Sequence, residues 1–197
     1  MATWKEKLEP RGWTYRLWRD EHLALFPFPD LMNAMPEWNG KADLLRYFLL
    51  ATDGGVCVDA DSECLEPLDD SFLAHDAWAC WESEPKFPGR IATGYLASAT
   101  PRVGGPNLML EVLREIERRR LADPVGWAKL PAWVSTGPVL FTQVAQRHPE
   151  LHVYPAGAFL PTHWSGVTPA PYHGKVYARQ FWGSTITSPH YGYAGLT

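Results

Sequence analysis

Ala42-Asp43-Leu44-Leu45-Arg46-Tyr47 and, six residues further on, Gly54-Gly55-Val56-Cys57-Val58-Asp59-Ala60-Asp61 form the stretch that decides the fold. The first half lies within residues 41–51 (KADLLRYFLLA), which are strong helix formers without Gly or Pro, and Asp53-Gly54-Gly55 supplies the glycine that closes a helix. The second half changes character. Gly55-Val56-Cys57-Val58 is a short apolar run, consistent with a buried strand, and it leads directly into Asp59-Ala60-Asp61, so paired carboxylates stand at a strand's C-terminal end. Ligands gather at that edge of open α/β sheets.

Working outward, residues 13–18 (WTYRLW) alternate large rings with polar or cationic groups and read as a strand. A Pro- and Asn-rich loop, residues 27–40, separates them from the helix. Residues 77–81 and 91–97 read as further strands, and residues 108–121 as a helix with Leu108, Val112, Leu113 and Ile116 on one face. Beyond Asp123-Pro124 the chain is rich in Pro and Gly, with strands expected at 151–154 and 175–181. No repeat or long linker interrupts the 197 residues, so the expectation is a single mixed α/β domain over 1–197.

Composition excludes several classes of function. With 46% hydrophobic and 20% charged residues the chain is a folded protein rather than a disordered one. A net charge of −4 offers no global attraction for nucleic acid or an anionic membrane, and the one basic run, Arg118-Arg119-Arg120, reads as a solvated helix end. The three cysteines lack metal-site spacing and are odd in number, which points to a reducing compartment rather than a disulfide framework. No stretch approaches the ~20 apolar residues of a membrane span, and the N-terminus has no apolar leader, so the expectation is a cytoplasmic protein without an integral membrane segment. Ten Trp and eight Tyr suit either carbohydrate platforms or packing under long loops, and composition does not choose between them.

The chemistry resides in the opening stretch. Breaking the glycosidic bond of a nucleotide-activated sugar builds negative charge on the departing diphosphate, which a hard dication neutralises. Carboxylate oxygens are what Mg²⁺ or Mn²⁺ prefers, and such ions keep waters and substrate phosphates, so the two carboxylates of D-x-D suffice. Asp43 and Arg46, three residues apart, share a helix face, and an acceptor-only carboxylate beside a planar cation suits the gripping of sugar hydroxyls. Gly54 and Gly55 permit a sharp turn and close approach to a ligand. The plain alternative is a surface ion pair on the helix, a glycine cap and a solvated acidic turn.

A-D-x-x-R-Y followed by G-G-V-x-V-D-A-D resembles the core of glycosyltransferase family 32, which includes N-glycan mannosyltransferases and capsular polysaccharide transferases. Looser likenesses extend over residues 4–20, Thr93-Gly94-Tyr95, Thr136-Gly137-Pro138 and the Tyr154-Pro155 region. The resemblance implies a GT-A-like mixed sheet flanked by helices. It also implies a retaining hexosyltransferase that takes a nucleotide diphosphate sugar as donor and a carbohydrate as acceptor, with Mn²⁺ or Mg²⁺ as cofactor. By motif position, Asp43 and Arg46 would hold the donor sugar, Gly54 and Gly55 would line the donor site, Asp59 would meet the ribose or the metal, and Asp61 would ligate the metal; Asp43, Arg46 and Asp61 are the catalytic candidates. Two departures accompany it. The chain starts too late to contain the family's first strand, and where the family closes its metal shell with His, this sequence reads Arg179-Gln180-Phe181-Trp182-Gly183-Ser184-Thr185, leaving Gln180 or Ser184 to offer a neutral oxygen.

Two other readings compete. A sugar-nucleotide-binding remnant would keep the site without turnover. A phosphohydrolase of the haloacid dehalogenase type also uses a strand followed by D-x-D, but needs Thr or Val where this chain has Glu63, and a motif near the N-terminus.

Overall fold

The structure, a computed structural model, describes residues 2–100, 107–167 and 170–183. Its helices are α1 (Ala2–Leu8), α2 (Pro29–Ala34), α3 (Trp38–Thr52), α4 (Leu108–Ala122), α5 (Pro124–Trp127), α6 (Ala132–Ser135) and α7 (Pro138–Ala145). Its strands are β1 (Gly55–Val58), β2 (Ser62–Cys64), β3 (Ala77–Trp81), β4 (Ile91–Ser98), β5 (His152–Tyr154) and β6 (Ala178–Gln180). Four strands form one sheet in the order β1-β4-β3-β5, with β4 antiparallel to both β1 and β3, and β5 parallel to β3. The sheet is therefore mixed, and β1, β3 and β5 all run toward one edge. A second, two-stranded sheet pairs β2 with β6, setting Ser62 opposite Gln180.

Alternation along the central strands builds two cores. Ala77, Ala79 and Leu96 face α3, α4 and α7, where Leu44, Tyr47, Leu50, Met109, Val112, Ile116, Leu140 and Phe141 are buried. Trp78, Tyr95 and Ala97 face the opposite way, into an aromatic layer with Trp4, Phe72 and Phe159. Trp4, Trp78, Trp127, Tyr47 and Tyr95 thus serve as packing, which answers part of the question raised by the aromatic content. The basic run lies at the end of α4 as expected, with Arg118 and Arg119 bound to Glu115, and Arg120 to Glu117.

The switch from helix to strand turns on Gly54. Its φ is +73°, its N–H reaches Leu49 O at 3.2 Å, and a Cβ there would lie 2.7 Å from Thr100 N, so both the conformation and the space call for glycine.

Four expectations need correction, the first being the loop over residues 27–40, which holds α2 and the first residues of α3. Residues 13–18 are extended but form no strand: Trp13 and Tyr15 are half-buried while Thr14 and Arg16 are exposed, as a strand's alternation requires, yet no neighbouring strand pairs with them among the described residues. A strand exists only with a ladder partner, and the nearest open edge, β1, lies across a cleft of about 760 Å³ that both segments line. The expected strand over 175–181 is shortened to β6. The Pro- and Gly-rich stretch after Asp123 contains α5, α6 and α7, because Pro124 and Pro138 sit in the first helical turn, where a missing N–H costs nothing.

Candidate active site

Asp59 is the first residue after β1, and it is held there by its own backbone: its N–H bonds to Gly94 O of β4 at 2.9 Å, and its carbonyl accepts from Ser62 Oγ at 2.5 Å. Arg46 reaches it from α3. The guanidinium donates from Nη2 to Asp59 Oδ1 and from Nη1 to the carbonyl of Thr93, and Nη1 also lies 3.3 Å from Asp43 Oδ1. One planar cation thus ties helix, strand end and neighbouring strand together, a task suited to its forked donors. Asp43 completes the chain by accepting from Thr136 Oγ1 at 3.1 Å, and Thr136 O accepts from Tyr47 Oη at 2.8 Å.

The Asp43–Arg46 pair is therefore no surface ion pair. Side-chain exposure is 11% for each, against 31% for Asp59. Burial pushes the Asp43 carboxyl up to about 7; Arg46 pulls against it and Asp59 adds to it. Burial sets the direction, because the guanidinium that would favour the charged form is shared with a second carboxylate, Asp59. Burial also works against the charge on Arg46, but Asp59 and Asp43 more than compensate and raise its pKa. Both oxygens of Asp43 are engaged within the protein, so in this arrangement it orients Arg46 rather than facing a ligand directly.

Asp61 is held from the opposite side by the chain that leaves β6. Its carbonyl accepts from Phe181 N–H at 2.9 Å, its Oδ2 from Gly183 N–H at 2.7 Å, and its Oδ1 from Gln180 Nε2 at 2.6 Å. Trp182, between them, has φ +57°, a left-handed conformation unusual for a bulky residue and of the kind found where a site over-determines the backbone. Burial raises the Asp61 carboxyl, and Asp59 adds to the effect.

The amide of Gln180 bridges the pair, with Nε2 2.6 Å from Asp61 Oδ1 and 3.3 Å from Asp59 Oδ2, while its Oε1 accepts from Tyr95 Oη at 3.0 Å. In this arrangement the donor end of Gln180 faces the carboxylates and its oxygen faces Tyr95. Ser184, the other residue considered for that role, lies outside the described residues. Among the described residues no group of three or more His, Cys, Asp or Glu converges as a ready metal cage. The donor chemistry nonetheless fits a hard dication, because Asp59 and Asp61 are paired oxygen ligands and such ions take remaining ligands from water and phosphate. Asp59 and Asp61 would hold it where the amide now bridges them.

Gly94 belongs to the site although its residue type carries no chemistry. A Cβ there would stand 2.7 Å from Asp59 Oδ2, so the carboxylate occupies the space a side chain would fill. The signal was present as a glycine inside the strand pattern Ile91-Ala92-Thr93-Gly94-Tyr95, which marks close approach of another group. Thr136 and Tyr95 had no comparable chemical signal. Gly55, expected to approach a ligand, is exposed at the cleft between β1 and residues 13–20, which Arg46 and Gly54 also line.

Comparison with known proteins bears on this geometry. Residues 8–79 match the family described as a glycosyltransferase sugar-binding region containing a DXD motif, a span that holds Asp43, Arg46, Gly54, Gly55, Asp59 and Asp61. Inositol phosphoceramide mannosyltransferase 3 of Schizosaccharomyces pombe is 27% identical over 160 residues, covering 71% of this chain and 42% of that protein. Inositol phosphoceramide mannosyltransferase 2 of the same yeast is 32% identical over 96 residues, covering 39% of this chain and 28% of its own length. The chain spans less than half the length of these relatives.

Proposed function

For a chain that is glycosyltransferase-family-32-like through its DXD region, we propose a metal-dependent, retaining transfer of a hexose from a nucleotide diphosphate sugar to a polyol acceptor. The observation that carries the reading is the clasp of Arg46 on Asp59 at the sheet edge, with Asp61 two residues on and Asp43 behind the guanidinium. This is the juxtaposition that donor binding needs and that a surface ion pair with a solvated turn would lack. Both relatives are named as mannosyltransferases, which favours mannose as the sugar.

Asp59 and Asp61 would hold Mg²⁺ or Mn²⁺, and such an ion would supply neutralisation of the charge that grows on the leaving diphosphate. Arg46, fixed by three acceptors, keeps Asp59 in place and its positive charge near the same edge. The Phe181–Gly183 turn fixes Asp61 by two main-chain N–H groups. No general base is assigned. Positioning of donor and acceptor provides the remaining rate acceleration.

A second reading, a binding remnant without turnover, draws support from Gln180, whose amide stands between the carboxylates where an imidazole ligand is expected from the family pattern. Incubation with isotope-labelled nucleotide sugars and Mn²⁺ separates the two. The transferase reading expects hydrolysis or transfer that disappears in Asp61→Ala. Equal turnover by that variant refutes it, whereas metal-dependent donor binding with no product over long incubation selects the remnant.

A further inference from the structure

Glu82 follows the last residue of β3 just as Asp59 follows the last residue of β1, and the two strands run parallel, so both carboxylates stand at the same sheet edge. They are not level across β4: Asp59 N–H bonds to Gly94 O and Glu82 N–H to Arg90 O, so Glu82 stands four residues further along β4, roughly 10 Å across and roughly 13 Å along the strand from Asp59. Glu82 is 7% exposed, and its Oε2 has no hydrogen-bond partner; Arg90 Nη1 is 3.8 Å away. Facing it is His163, 2% exposed, with Nε2 at 3.6 Å from Glu82 Oε1 and likewise without a partner.

The tautomer of His163 follows from its other nitrogen. Ser165 N–H points at Nδ1 from 3.2 Å, and since a backbone N–H only donates, Nδ1 accepts and the neutral ring carries its proton on Nε2. A buried donor, His163 Nε2–H, and a buried acceptor, Glu82 Oε2, thus lack hydrogen-bond partners, with Nε2 3.6 Å from the other oxygen of the same carboxylate. Leaving both unmade is costly in a folded protein, and a hydroxyl, which donates and accepts at once, satisfies the pair.

The surroundings suit a sugar-like ring. The half-buried indoles of Trp164 and Trp182 lie 4.7 and 5.2 Å from the His163 ring, centroid to centroid, and Phe87 lies 5.7 Å away. Trp182 Nε1 already donates to Thr162 O, which fixes its ring. The same turn connects this cluster to the aspartates, because Gly183, adjacent to Trp182, donates its N–H to Asp61.

We propose that Glu82 and His163, flanked by Trp164 and Trp182, form the acceptor subsite, which takes a neutral polyol ring, sugar or cyclitol, through one hydroxyl held between the carboxylate and Nε2–H and through stacking of the ring's C–H face on indole. This assignment rests on the transferase reading for its place beside the donor, but the subsite itself binds polyols whether or not turnover occurs.

The test uses the full chain with ¹⁵N-labelled tryptophan, titrated with methyl α-mannoside and, separately, with myo-inositol; tetrahydropyran, a six-membered ring without a hydroxyl, serves as the control. The proposal expects saturable shifts of the Trp164 and Trp182 indole signals with one or both polyols and none with the control, and the stronger of the two distinguishes sugar from cyclitol. Glu82→Gln and His163→Gln should weaken that binding roughly 10- to 100-fold, the range for a lost hydrogen bond to a charged or buried partner, while the melting-point rise caused by nucleotide sugar and Mn²⁺ stays as in the parent. Absence of polyol-dependent shifts in the parent overturns the proposal even if the variants fail to fold. Unchanged affinity in both folded variants overturns it as well. A parent that shifts with polyol but shows no donor-dependent melting rise instead defeats the transferase reading and leaves the subsite standing.

Discussion

Replacing Gly94 by Ala probes the packing on which the acidic site depends. The added Cβ would lie 2.7 Å from Asp59 Oδ2 and 3.2 Å from its Cγ, so the carboxylate must retreat by about 0.7 Å to regain ordinary van der Waals separation. It cannot swing freely, because Oδ1 is bound by Arg46, which in turn is bound by Thr93 O and Asp43. Overpacking of this kind costs about 1–3 kcal/mol, and replacing a strand glycine returns ~0.5–1 kcal/mol. The net loss is then at most about 2.5 kcal/mol, which for a chain of this size lowers the melting temperature by up to roughly 10 °C. Donor binding should weaken as well, because Asp59 is pushed from the position in which Arg46 holds it. Thermal denaturation of Gly94→Ala with and without nucleotide sugar and Mn²⁺ checks both halves. A variant that is more stable than the parent and shows the same ligand-induced rise would refute the contact between residue 94 and Asp59, and with it this account of the site.

Three further outcomes are expected. Arg46→Lys keeps the charge but cannot bridge Asp43, Asp59 and Thr93 O at once, so urea denaturation should show a loss of ~2–4 kcal/mol, and a loss under ~0.5 kcal/mol would contradict the buried clasp. Tyr47→Phe removes the 2.8 Å hydrogen bond to Thr136 O within the core and should cost ~1–2 kcal/mol by the same assay; no cost would mean that the carbonyl finds another donor. The third concerns pH: with the Asp43 carboxyl raised to about 7 in the folded chain from an ordinary 3.8, the unfolded chain releases this proton first as pH rises. Stability from this group is therefore full below pH 4 and falls between pH 4 and 7, by up to ~1.4 kcal/mol per pH unit. In chelator, Asp43→Asn should show a flatter dependence than the parent over pH 5 to 7, and parallel curves would show that Asp43 does not carry the proton.

The acidic half of the site was legible because its residues are close in sequence. Asp43 and Arg46 are one helical turn apart, and Asp59 and Asp61 share one turn, so local geometry alone sets each pair. Gln180 was legible only as a position in a family pattern, and the direction of its amide was not, since that depends on Tyr95 Oη 85 residues earlier in the chain. Glu82 and His163 are 81 residues apart, and nothing in either local sequence refers to the other. The expected strand at 13–18 shows the complementary error: alternation records which side chains meet the core, but pairing needs a second chain segment at ladder distance.

By itself, the sequence determined the helix over residues 41–51, the strand that leaves Gly54, and the placement of two carboxylates at that strand's end, because backbone propensity, hydrophobic period and glycine conformation act over neighbouring residues. Only the tertiary structure decided that Arg46 grips Asp59, that Gly94 gives up its side-chain space to that carboxylate, and that the turn after β6 folds over Asp61 and brings Trp182 against His163. These contacts join segments far apart along the chain, and which of them form is set by how both faces of the sheet pack, a property no local stretch of residues contains.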